Sequence, residues 1–91
     1  MLNRKHFELH GDVQGVGLRF RARQAAALYG CTGWVRNEYD GSVTLELQGT
    51  EAQIQAVMRL ISKGTYIHID GMDTRSLSPD PEERGFRTLW A

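Results

Sequence analysis

The chain has little of what marks a specialised environment. Among its 91 residues there is one cysteine, Cys31, so no internal disulfide can form and a disulfide-stapled fold is excluded. A lone cysteine fits a reducing compartment, and the expected location is cytoplasmic. Neither sign of charge is in excess: 11 Lys and Arg balance 11 Asp and Glu. A general nucleic-acid binder carries a basic surplus, so the balance argues against that class while leaving room for a local positive pocket. Long hydrophobic runs are missing as well. The opening "MLNRKHFELH" has no apolar stretch of the signal-peptide kind, and no segment approaches a membrane span. The length suits one domain over residues 1–91, with a small core and modest stability, and a monomer is the simplest expected state.

What is present is strong local patterning. Residues 5–11, "KHFELHG", alternate, with Phe7 and Leu9 on one face of a strand. In "LRFRARQAAALYG", Ala22, Ala25, Ala26 and Tyr29 make a slim helical stripe, and Gly30 is a natural stop. "GWVRNEYDGSVTLELQG" reads as a hairpin turning at Asp40-Gly41, with Trp34, Val35 and Tyr39 before the turn. After it, Val43, Leu45 and Leu47 should be buried, with Thr44, Glu46 and Gln48 on a wet face. A second helix is predicted over "EAQIQAVMRLISK", with Thr50 and Gln53 forming a capping box and Gly64 ending it. "TYIHIDGM" supplies a fourth strand, "LSPDPEERG" a polar loop, and "FRTLWA" a short last strand or docked tail. The order is βαββαβ: an α+β sandwich with two helices on one face of an antiparallel sheet.

One stretch interrupts this regularity. "DVQGVGLRF", from Asp12 to Phe20, places Gly15, Gly17 and Arg19 at a helix entry. Inward-facing amides there, with the uncommitted first amides of the helix, would form an anion-binding nest. Arg19 would add a permanently charged donor fork. The plainer readings are a strand-to-helix turn, a solvated surface arginine, and an Asn37 that only satisfies backbone groups near its hairpin. In a split βαβ arrangement the strand carrying "WVRN" is outermost and parallel to the first. That brings the turn 11–18 and Asn37 to one sheet edge. The spacing is not that of a nucleotide P-loop.

"GDVQGVGLR" together with "GWVRNEYDGSV" resembles the acylphosphatase family, and the similarity runs through the second helix. The resemblance implies a ferredoxin-like α/β sandwich that hydrolyses acyl phosphates to a carboxylate and inorganic phosphate, with no metal or organic cofactor. It implies that Gln14, Gly15, Val16, Gly17 and Leu18 cradle the phosphate through backbone amides and that Arg19 binds the phosphoryl oxygens. Asn37 would orient the attacking water. Three positions depart from the family pattern. Leu18 replaces an aromatic residue, Ala22 a threonine on the first helical turn, and Glu38 a small polar residue beside Asn37.

Other groups carry weaker chemistry. His6, Glu8 and His10 share one strand face but do not make a coordination shell, and His68 and Asp70 do no better. Cys31 reads as a core or boundary residue. Arg19, Arg21 and Arg23 could meet nucleic-acid phosphates, but without an RNA-binding aromatic signature they better serve a small anion. Trp34 and Trp90 are expected to pack.

Overall fold

Alternation of apolar residues builds one face of a five-stranded sheet, which a computed structural model describes for residues 1–90. The elements are β1 (Asn3–Asp12), α1 (Leu18–Tyr29), β2 (Thr32–Asn37), β3 (Val43–Gly49), α2 (Glu51–Ser62), β4 (His68–Leu77) and β5 (Phe86–Leu89). The strand order is β4-β1-β3-β2-β5. The first four strands pair antiparallel in the ferredoxin-like βαββαβ pattern, and both helices cover one face. β5 joins β2 in parallel, so the sheet is mixed, and β2 is not the outermost strand expected from the sequence. Ala91 of the expected tail lies outside the described residues.

The core lies between sheet and helices. Leu9, Val35, Val43, Leu45 and Leu47 meet Leu18, Ala22, Ala25, Ala26, Ile54, Val57 and Ile61, all essentially buried. The alanines let α1 lie close to its neighbours, whereas Tyr29 is exposed and is not part of the stripe. α2 has both halves of its capping box: the Gln53 amide donates to Thr50 Oγ1 and the Thr50 amide donates to Gln53 Oε1. α2 ends at Ser62 with Lys63 as C-cap, one residue before the expected glycine. Tyr39 is fully exposed in the five-residue turn between β2 and β3 rather than on a strand. Ile67 is buried but precedes β4.

The helix-free face departs further from expectation. Thr44 and Gln48 of β3 are buried, not wet. The polar loop between β4 and β5 folds back over Gln48, while Thr44 lies beside Glu38. Arg4 donates to Glu83 at 2.8 and 3.1 Å and to Glu46 at 3.0 Å. The Gln48 amide donates to the Asp80 carbonyl and accepts from the Asp80 amide, each at 2.7 Å. Residues far apart in sequence thus cover the middle of the sheet with a satisfied polar network.

Candidate active site

The two helix entries are built differently. α2 is capped by a side chain and carries Glu51 in its first turn. α1 has neither feature: its N-cap is Gly17, no side chain caps it, and its first turn holds no acid. The first intrahelical bond runs from the Arg21 amide to the Gly17 carbonyl at 3.0 Å. The amides of Gly17, Leu18, Arg19 and Phe20 precede it and have no helical carbonyl to bond. Partial positive charge gathers there.

Gly15 (φ 71°) and Gly17 (φ 80°) are both left-handed. The intervening Val16 has a negative φ, so the sign of φ alternates along the turn, as it does in turns that bring successive amides to one concave side. A Cβ on either glycine would meet nothing within 4 Å. Backbone conformation, rather than crowding, therefore calls for glycine here.

Asn37 reaches this turn from the far end of β2. β1 and β2 are both antiparallel to β3 and hence parallel to each other, so their C-terminal ends share an edge. Val13, Gly15, Gly17, Leu18, Arg19, Phe20 and Asn37 line one cavity of about 180 Å³. Oδ1 of Asn37 is buried and has no hydrogen-bond donor among the described residues. The plain reading, in which Asn37 only satisfies nearby backbone, leaves that oxygen unexplained. A buried acceptor without a partner costs about 1–3 kcal/mol.

Gln14 works through its side chain as well as its place in the turn. Its Nε2 donates to the Glu38 carbonyl at 2.7 Å and to the Ser42 carbonyl at 2.8 Å. The glycine turn is thereby tied to the hairpin that follows Asn37. Sequence spacing gave no sign of this brace, because its acceptors are backbone atoms 24 and 28 residues away.

The three unusual positions have clear locations. Leu18 is buried and keeps the apolar packing behind the turn. Ala22 is fully buried in the core and is the fifth residue of α1, beyond the first turn where it was expected. Glu38 accepts from Arg36 Nε at 2.8 Å and lines a different surface with His6, Glu8 and Thr44. The Thr44 hydroxyl and Arg36 guanidinium hold its carboxyl below the ordinary range, ionised but away from the cradle.

Trp90 is 78% exposed and does not pack as expected; the Arg19 guanidinium carbon lies 4.7 Å from its ring centroid. Such stacking takes none of the guanidinium's N–H donors. Trp34 is half-buried between the Arg36 cation and the His6 ring. His6 Nδ1 lies 2.6 Å from Glu46 and its Nε2 3.7 Å from Glu8, but His6 is outside the set of possible ligand atoms that converge. Glu8 and His10 instead meet Asp73 of β4, with potential ligand atoms within 4.8 Å of one another on the surface. Cys31 is buried away from the cavity, and desolvation pushes its thiol up to about 11, so it is a poor nucleophile.

A family model described as acylphosphatase matches residues 5–88. An acylphosphatase of Oceanobacillus iheyensis is 40% identical over 82 residues, covering 88% of this chain and 90% of the relative. The structure of an acylphosphatase from Coxiella burnetii superposes with a TM-score of 0.84 at 26% identity, covering 97% of this chain and 93% of that one. The crystal structure of acylphosphatase from Bacillus subtilis shares the fold, with a TM-score of 0.87 at 24% identity, covering 98% and 99%.

Proposed function

Because the chain belongs to the acylphosphatase family, we propose that it hydrolyses the carboxyl–phosphate anhydride of acyl phosphates, using the cavity between the glycine turn and Asn37. The observation that carries this reading is the uncapped entry of α1. Its unpaired amides, two left-handed glycines and Arg19 share one small cavity with Asn37.

The chemistry suits a site of this kind. In an acyl phosphate the leaving group is a carboxylate, whose conjugate acid has a pKa of about 4. It departs without strong general-acid help. The remaining work is to hold three phosphoryl oxygens, align a water in line and stabilise charge as it spreads. The amides from Gly15 to Phe20 and the Arg19 fork take the oxygens. The Asn37 amide is neutral and a poor base, but it can accept a hydrogen bond from water and direct a lone pair at phosphorus. The water oxygen bonds to phosphorus as the bridging P–O bond breaks, and its electron pair leaves on the carboxylate. The water proton passes to a phosphoryl oxygen, giving carboxylate and inorganic phosphate.

Purified protein should release phosphate from benzoyl phosphate and acetyl phosphate, with activity persisting in EDTA and little turnover of p-nitrophenyl phosphate. Arg19→Ala should remove at least about 99% of the turnover, the scale of one transition-state donor, while the fold survives. No release above a buffer control across pH would remove the enzyme assignment and favour an anion- or RNA-binding module of the same fold.

A further inference from the structure

The cradle holds a phosphoryl group but leaves little room for what the phosphate is attached to. Its volume of about 180 Å³ falls below the roughly 300–1,000 Å³ of ordinary small-molecule sites. The acyl portion must therefore lie outside it. Arg19 and Phe20 also line a second hollow, of about 680 Å³, between α1 and β5. Its other walls are Arg23, Arg87, Thr88, Leu89 and Trp90. Asn37 belongs to the cradle and not to this hollow. In-line transfer places the leaving group opposite the attacking water, hence away from Asn37.

Two large rings flank this shared boundary. Phe20 is 65% exposed and Trp90 78% exposed. Neither contributes to the core. Trp90 is held at the boundary by its contact with Arg19, the residue that would bind the phosphoryl group. An apolar ring carried on the acyl group would cover far more of these two side chains than an acetyl methyl group could.

We infer that the hollow between α1 and β5 is an acyl-group subsite in which Trp90 and Phe20 select acyl phosphates with bulky, aromatic acyl groups. This rests on the hydrolase reading of the cradle but adds a specificity that the reading does not require. Phe20 contributes twice: its amide faces the phosphate and its ring faces the acyl group.

The test uses two stable analogues in which a methylene replaces the bridging oxygen, phenacylphosphonate and acetonylphosphonate. Their affinities for the full chain are measured by calorimetry, alongside inorganic phosphate. The parent protein should bind the phenacyl compound about tenfold tighter, the worth of about one aromatic contact. Trp90→Ala should bring that ratio near one, and Trp90→Phe should restore most of it. An unchanged ratio in Trp90→Ala would overturn the proposal. So would an equal loss for both analogues and inorganic phosphate, because Trp90 would then act only by holding Arg19. Failure of the hydrolase reading is distinct: the analogues would be discriminated, yet benzoyl phosphate would not be hydrolysed.

Discussion

Replacing Gln14 tests whether the cradle and Asn37 are held as one unit. Gln14→Ala removes two hydrogen bonds, at 2.7 and 2.8 Å, between the glycine turn and the β2–β3 hairpin. Each contributes about 0.5–1.5 kcal/mol. Neither carbonyl is left bare, since Ser42 O also takes the Glu38 amide at 2.8 Å and Glu38 O takes the Gly41 amide at 3.3 Å. The loss should therefore be about 2 kcal/mol, or about 10 °C in Tm for a domain of this size, read by circular dichroism. Turnover should fall further than stability implies, because a shift of about 1 Å between reacting groups can cost about a hundredfold. Gln14→Glu is the sharper variant. A carboxylate cannot donate, and it would face two carbonyl oxygens. Its charged form is disfavoured, so its pKa rises, and the instability is greatest above that pKa and eases as pH falls through it. The Tm gap between Gln14→Glu and the parent should narrow on acidification. A Gln14→Glu protein as stable and active as the parent at pH 8 would refute the reasoning.

Two further predictions concern the rest of the fold. Glu83 is partly buried, which pushes its carboxyl up, but Arg4, with help from the Thr32 hydroxyl and the Arg87 charge, outweighs this and holds it below its ordinary 4.5. Its stabilisation is complete above that value and is lost as pH falls through the lower folded pKa. Glu83→Ala should cost about 3 kcal/mol at pH 7 and less as acid protonates the carboxyl, and a gap that does not change with pH would count against the Arg4 pair. Cys31, with its thiol raised to about 11, should resist a thiol reagent at pH 7 until the protein unfolds. Rapid labelling of folded protein would contradict its burial.

Much of this was legible where the cause is local. The Thr50–Gln53 box, the alternation of Val43, Leu45 and Leu47, and the glycine turn each carry their signal within a few residues. The meeting of that turn with Asn37 followed from topology, since a split βαβ unit makes β1 and β2 parallel. What escaped depends on distant partners. "LSPDPEERG" has the composition of a solvated loop, yet Glu83 reaches Arg4 across 79 positions and Asp80 reaches Gln48 across 32. Trp90 looked like a packing residue because a tryptophan's area favours burial, and only the geometry sets it beside Arg19. Tyr39 suits a strand by propensity, but the turn is longer than the two residues of Asp40-Gly41 and leaves it outside.

In the proposed reaction Asn37 acts on water rather than on phosphate. Turnover of benzoyl phosphate and calorimetric binding of inorganic phosphate should be measured side by side for Asn37→Ala and the parent. Asn37→Ala should lose about a hundredfold in kcat, the scale of one transition-state hydrogen bond, with phosphate Kd changed by less than about threefold. Equal losses in kcat and phosphate affinity would make Asn37 part of the anion cradle and contradict its role in orienting water.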